Sequence, residues 1–389
     1  MRYAFWISLG VIAYSYFGYP LVLWLLSKLN PRPISKGQVD PTVSVVIAVH
    51  NDAERLKAKI TNLEQVEYPK EKVQIIVSSD GSTDSTNDVL KTIPRIQSVT
   101  SELRQGKCVA LNRALEFAKG EIVVFADVRQ RIEPGAFRKL LRNFADASVG
   151  SASGELMIPS SEPGLADVGL YWRYEKAIRK MESATGSVMG VTGAFYAVRR
   201  ELVSGFPAGL ILDDVYGPLK VLQAGKRVVF EPEAIAWDEP AFNHAVEFRR
   251  KVRTLMGNYE LLQYFPGLII PMGSIGFRFF SHKLLRLAVP WFLLIAVISS
   301  AVLSAAPMFL GVFLLQLMFY VVGSISARKR APFRLARLAG TFCLLNAAAF
   351  VAFFAFLCKS RDVSKAWQAT TTVSQAQSLN REAKGVRNG

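Results

Sequence analysis

An apolar run, Val123–Ala126, ends on Asp127 and is followed at once by Arg129 and Arg131. A carboxylate at the lip of a buried strand can hold a hard divalent cation, and guanidiniums beside it can take phosphate oxygens as planar forks. Together they describe a place for a metal-bound diphosphate. The competing reading is an exposed Asp–Arg pair, common on surfaces and weak. Lys107 follows Gly106 at the start of a helical stretch. A lysine there can meet the same diphosphate, and helix N-terminal N–H groups favour the same anion. Asp213 and Asp214 stand together ahead of another helix, in LDDVYGPLKVLQ. Paired carboxylates can supply a general base; they also fit an acidic helix N-terminus stabilised by the dipole.

Strands and helices must bring these groups together. TVSVVIAVHN (42–51) is a short, β-branched apolar run ending in His50 and Asn51, the pattern of a central parallel strand. DAERLKAKITNLEQV follows, with Leu56, Ile60 and Leu63 on one helical face. KVQIIVSSDGSTD (72–84) repeats strand then turn and carries Asp80. GKCVALNRALEFAKG (106–120) reads as a second helix and EIVVFADV as a further strand. This alternation predicts a doubly wound α/β sheet, in which ligands bind beyond the carboxyl ends of the strands. His50, Asn51, Asp80 and Asp127 all fall at such ends, so one shared site is expected. DGSTD also satisfies a simpler reading, a turn with Ser82 or Asp84 capping the next helix. Neither GxGxxG nor GxxxxGK[ST] occurs, which argues against a dinucleotide fingerprint and against P-loop chemistry.

The mean hydropathy of +0.23 is too high for an ordinary soluble chain, and the excess is local. Residues 4–27 carry no charge and exceed the roughly 20 apolar residues that a bilayer crossing needs. They outrun the usual ~7–15-residue core of a signal peptide and lack a small-x-small cleavage site, so a retained anchor is expected. Further apolar stretches lie at about 285–305, 307–325 and 338–357. The expected segments are an anchor at 1–29, a soluble domain at 40–265, an interfacial amphipathic segment at 266–284, three transmembrane helices within 285–358 and a polar tail at 359–389. The net charge of +16 gathers beside the spans, in SKLNPRPISKG, FRRKVR, FRFFSHKLLR and ARKRAPFRLAR. Positive-inside charge and anionic headgroups account for it without any nucleic-acid partner. It puts residues 28–280 in the cytoplasm at an inner or plasma membrane. Three later spans then place the tail outside, against the cytoplasmic look of KSRDVSK. Cys108, Cys343 and Cys358 are far apart and form no CxxC, so no disulfide framework or zinc site is expected.

In order along the chain, VSVVIAVHND, IIVSSDGSTDST, RQGKCVALNRAL, IVVFADVRQ, VTGAFYAVRREL and LDDVYGPLKVLQAGKRVVFEPEA resemble the family 2 glycosyltransferases. The likeness is to the membrane-bound, cellulose-synthase-like and hyaluronan-synthase-like branch, over residues 40–265. It implies a GT-A type nucleotide-sugar-binding fold, inverting hexosyl transfer from a UDP-sugar, and Mg²⁺ or Mn²⁺. By position, it places His50 and Asn51 beside the uracil, Asp80 at uracil or ribose, and Lys107 and Arg253 at the diphosphate. It makes Asp127 the metal ligand, puts Gly193 and Ala194 on the acceptor side, and makes Asp214 the base with Asp213 positioning it.

Two family patterns are broken. Asp-x-Asp has become DVR, and Arg129 in place of the second acid is expected to take phosphate charge. Gln-x-x-Arg-Trp keeps only Arg253, with Arg250 and Thr254 for Gln and Trp, so addition of one or a few sugars is expected. The expected acceptor is a lipid-linked sugar or a growing polysaccharide, in exopolysaccharide or cell-surface glycan synthesis. Membrane lipids and other polysaccharide-synthesis or export proteins are the expected partners. The broken patterns also allow a second reading, a catalytically silent nucleotide-sugar-binding scaffold of an export complex. A transporter is disfavoured, because the spans lack the charges that mark transport paths.

Overall fold

The computed structural model describes residues 1–158, 166–238, 244–328 and 333–358. Part of the basic 327–337 loop and the polar tail expected at 359–389 lie outside the described residues.

The strands are β1 (Val43–Val49), β2 (Val73–Asp80), β3 (Ile96–Ser101), β4 (Ile122–Ala126), β5 (Arg131–Ile132), β6 (Val149–Met157), β7 (Phe195–Arg199) and β8 (Arg227–Trp237). They form one sheet in the order β3-β2-β1-β4-β7-β6-β8-β5. β1 pairs with β2 and β4 in parallel, with Val45 opposite both Ile75 and Val124. Every residue of β4 is buried, as a β-branched run without alternation requires when both faces are covered. The expectation of a doubly wound sheet holds for this half. β7 departs from it by running antiparallel to both β4 and β6, so the sheet is mixed.

The helices are α1 (Arg2–Ala13), α2 (Tyr19–Leu29), α3 (Ala53–Glu64), α4 (Thr86–Thr92), α5 (Lys107–Leu115), α6 (Ala136–Leu141), α7 (Ala166–Ala184), α8 (Asp213–Gln223), α9 (His244–Tyr264), α10 (Gly273–Phe279), α11 (Leu285–Val302), α12 (Pro307–Arg328) and α13 (Arg334–Leu357). One face of the sheet buries Leu56, Ile60, Phe137 and Leu140 from α3 and α6. The other buries Leu111, Leu219 and Leu222 from α5 and α8, with Phe125 stacked on Tyr196 at 4.6 Å. Each such side chain contributes about 1.5–3 kcal/mol by leaving water. The chain winds from β1 outward to β3 and then returns to β4 on the other side of β1. That reversal is the switch point where α/β sheets open a crevice, and Asn51 and Asp127 emerge there.

Among the described residues, four helical runs are long and apolar enough to cross a membrane: Arg2–Leu29, Gly273–Val302, Pro307–Ala327 and Arg334–Leu357. The boundary expected at 284–285 falls inside the second of them. Residues 266–269 form a single turn, after which α10, a π turn at Phe280–Leu284 and α11 continue without a break. The charges that suggested a surface-lying segment point into the protein instead: Arg278 is 4% and His282 3% exposed. Arg278 donates to main-chain carbonyls at the end of α7, whereas His282 and the neighbouring Arg286 meet acids on that helix. Tyr19 Oη donates to Glu182 Oε1 at 2.6 Å, His282 Nδ1 lies 2.9 Å from the same oxygen, and Arg286 pairs with Glu175. Charges this deep persist only when paired and hydrogen-bonded, so the network fixes the sheet domain against the membrane-length helices. α9 reinforces the joint, with Tyr259 stacked on Phe356 at 5.5 Å.

Candidate active site

α8 begins directly on Asp213 and Asp214 after Leu212 as its N-cap. Pro218 lies inside this helix and has no N–H, so it cannot bond the carbonyl four residues earlier. The carbonyl of Asp214 therefore accepts from Val191 N–H at 2.9 Å instead. One proline thus ties the VTG segment to the second acid. Gly193 packs against the same side chain, since a Cβ there would lie 3.7 Å from Asp214 Oδ2. The next residue, Ala194, accepts from Asp127 N–H at 3.4 Å. The two residues expected on the acceptor side thus brace Asp214 and Asp127 together.

Lys107 opens α5 after Gly106, whose φ of +98° favours glycine. Its ammonium lies 3.1 Å from Asp127 Oδ1 and 3.0 Å from Asp213 Oδ2. Burial alone would push this ammonium down; Asp127 and Asp213 more than offset that and hold it above the usual lysine range. Asp214 moves the other way. Burial, then the like charge of Asp213, push its carboxyl up to about 6, with Lys107 opposing. A carboxylate that titrates near neutrality is suited to take a proton at physiological pH.

The residues expected at the nucleotide are arranged differently. Asp80 is fully buried. Its Oδ1 accepts from Gln105 N–H at 2.9 Å and Arg113 Nη2 at 2.8 Å, and its Oδ2 from Gly106 N–H at 2.7 Å. With its carboxylate thus engaged, Asp80 holds the loop that presents Lys107. His50 Nδ1 pairs with the Asp80 carbonyl at 2.7 Å, and burial lowers its imidazole below the usual range. Asn51 adopts a left-handed φ of 48° and exchanges two hydrogen bonds with Thr83. We expect Asp80→Ala to cost about 1.5–3 kcal/mol, the worth of charged hydrogen bonds to a buried acid. A thermal midpoint within 1 °C of wild type, read with about 2–4 °C expected per kcal/mol, would show that the loop does not depend on Asp80.

Arg129 donates to Asp238 Oδ2 at 2.6 Å, beyond the end of β8. A phosphate would have to share or displace that acid. Arg253 lies on α9, and no hydrogen bond or ion pair joins its guanidinium to the acids among the described residues. It stands one turn before Gly257, which packs against Leu212 beside the α8 N-terminus.

Sequence reasoning missed Lys59, Arg113 and Asp238. Lys59 is 2% exposed, and its ammonium donates to the Gln130 carbonyl at 2.8 Å beneath the Asp127 loop. Burial pushes that ammonium down to about 8, with Asp127 opposing. A signal was present: Lys59 shares the stripe of Leu56, Ile60 and Leu63, where a charge is out of place.

Among the described residues no cluster of three or more His, Cys, Asp or Glu could hold a metal. Asp127 and Asp213 nevertheless share one cation, the Lys107 ammonium. Two hard carboxylates completed by substrate phosphates form a donor set that suits Mg²⁺ or Mn²⁺. The residues therefore fit a divalent ion that arrives with a diphosphate.

Residues 44–205 match the model of Glycosyl transferase family 2. The poly-beta-1,6-N-acetyl-D-glucosamine synthase of Staphylococcus aureus (strain COL) is 23% identical over 243 residues, 60% of this chain and 58% of that protein. Its counterpart in Staphylococcus epidermidis is 22% identical over 229 residues, 57% of this chain and 55% of that protein. The chain thus spans little more than half the length of these curated relatives. A mannosyltransferase from Pyrobaculum calidifontis, solved with GDP-Man and Mn²⁺, is similar with a TM-score of 0.70. That likeness covers 92% of this chain and 99% of the other at 22% identity, and it establishes a GT-A type fold. Through residues 44–205, the chain is similar to the family 2 glycosyltransferases.

Proposed function

We propose that the chain transfers a sugar from a UDP-sugar, with inversion, to a lipid-linked or growing polysaccharide acceptor at the membrane. The gathering of Asp127, Lys107, Asp213 and Asp214 at the sheet's switch point carries this reading. Asp214 takes the proton of the acceptor hydroxyl as its oxygen attacks the anomeric carbon, and a single displacement turns an α-linked donor into a β-linkage. Gly193 and the Pro218-freed carbonyl keep Asp214 in place. Lys107 meets the diphosphate from the start of α5, and Asp80 acts through the loop that carries it. His50 and Asn51 stand at the nucleotide end, Arg129 and Arg253 at the periphery of the phosphates. The sheet domain faces the cytoplasm, on the side of the basic flanks.

A divalent ion held by Asp127 and Asp213 would neutralise the developing charge of the leaving diphosphate. Asp127 and Asp213 are directly paired with a single ammonium, that of Lys107, and Asp214 lies beside them, so a bare diphosphate would meet carboxylate charge that this one pairing does not cancel. EDTA should therefore abolish transfer and Mn²⁺ or Mg²⁺ restore it. Full turnover in chelator would mean that Lys107 and Arg129 suffice.

Thr254, exposed on α9 with its hydroxyl on the Arg250 carbonyl at 3.0 Å, offers no ring to an acceptor sugar. We expect products one or a few sugars longer than the acceptor. A ladder of long polymer on a sizing gel would refute this. Release of UDP by membranes carrying the chain, together with the anomeric configuration of the product by NMR, tests the function. A β-linked product supports inversion, whereas UDP-sugar binding without turnover would favour a silent scaffold.

A further inference from the structure

Away from the acids, a cavity of about 240 Å³ lies where α2 ends and α10 begins. These are adjoining ends of two membrane-length runs, Arg2–Leu29 and Gly273–Val302; read as membrane spans, they put the cavity at the level where the helices leave the bilayer. Leu23, Leu26 and Phe277 form an apolar wall; Arg32, Arg278 and Ser274 supply the polar side, and among the described residues no acid lines it. The volume is below the roughly 300 Å³ of pockets that take a whole small-molecule ligand. It suits a head group better than a sugar nucleotide.

The two guanidiniums differ in what they can give. Arg278 spends its donors on the protein: Nη1 to the Glu182 and Ser187 carbonyls, Nη2 to Thr185, and Nε to Ser274 Oγ at 3.2 Å. It contributes charge. Having accepted that bond, Ser274 retains its own proton to donate. Arg32 is engaged through its backbone, its N–H on the Ala184 carbonyl at 2.7 Å and its carbonyl accepting from Arg227 at 2.8 Å. Its side chain is exposed at the cavity with its fork of donors available.

We propose that this cavity binds the phosphate of an anionic membrane phospholipid, with its first acyl carbons against Leu23, Leu26 and Phe277. Positive charge on one wall and hydrocarbon on the other match both halves of such a molecule. The lipid would seat the sheet domain at the joint that Glu182 and His282 already stiffen. The inference rests on reading the helices as membrane spans, not on the transfer reaction, and carbonate extraction of membranes checks that reading separately.

The full chain, purified in detergent, can be titrated with phosphatidylglycerol, phosphatidylcholine and inorganic phosphate and read by native mass spectrometry. Wild type should retain phosphatidylglycerol in preference to phosphatidylcholine. Arg32→Ser should weaken phosphatidylglycerol by roughly fivefold, the weight of one basic residue at an anionic surface. Leu26→Asn should also weaken it. Equal retention by wild type and Arg32→Ser, or no preference between the lipids, overturns the proposal. So does tight inorganic phosphate binding that survives Leu26→Asn, because the site would then read a free anion. Arg32 is exposed and its backbone bonds do not depend on its side chain, so loss of the fold does not confound the comparison.

Discussion

Replacing Asp214 with Asn should slow initial transfer by about 10²–10⁴-fold, the usual contribution of a general base. Size and shape are kept, and the Val191 bond to its carbonyl is untouched, so the loss reports the proton acceptor. UDP-sugar affinity should survive, because Asp214→Asn leaves the Lys107 pairs with Asp127 and Asp213 and the β1 end in place. The pH profile carries the sign. With the Asp214 carboxyl at about 6 through burial and Asp213, the base is protonated and idle below that pH. The rate should therefore rise through pH 6 and level above it. Asp213→Asn removes the like charge, lowers the Asp214 pKa and moves this limb to lower pH. A dead Asp213→Asn beside an active Asp214→Asn would assign the base to the other acid.

Lys107→Met should be the next most damaging change. It removes the ammonium that sits between Asp127 and Asp213, 3.1 and 3.0 Å from them. Leaving a largely buried carboxylate unpartnered costs about 1–3 kcal/mol, so the thermal midpoint should fall by several degrees. Transfer should fall by roughly 10²-fold, as when one preorganised donor at a developing charge is lost. Metal sharpens the test. If the acids suit a divalent ion, Mn²⁺ should raise the midpoint of Lys107→Met more than that of wild type, because a second cation no longer competes with the ammonium. An equal response in both proteins would separate the metal from these carboxylates.

Much of this was legible in the sequence. The unalternating runs around Val45 and Val124 specified buried parallel strands, and the polar residues at their ends marked one crevice. β7 was harder to read. Phe195–Val198 is an unbroken buried run like β4, and strand direction depends on connections that hydropathy does not encode. The site residues were visible by type but not by partner. Asp80 is a carboxylate at a strand end, yet its oxygens are consumed by Gly106, Gln105 and Arg113, a pairing across 25 to 33 residues. Arg129 is likewise taken by Asp238, 109 residues away. Pro218 was overlooked as a helix irregularity, although its missing N–H is what frees the Asp214 carbonyl. The 266–284 segment misled because sparse basic residues on an apolar helix look the same whether they face headgroups or buried acids. Only α7, with Glu175 and Glu182, decides between them.

The most direct test of the account supplies a panel of radiolabelled UDP-sugars to membranes carrying wild type or Asp214→Asn and counts label in lipid-linked and polymeric products. Labelling from at least one UDP-sugar by wild type, reduced at least 10²-fold in Asp214→Asn, is the predicted result. Equal labelling by both proteins, or none from any UDP-sugar by wild type, would contradict it.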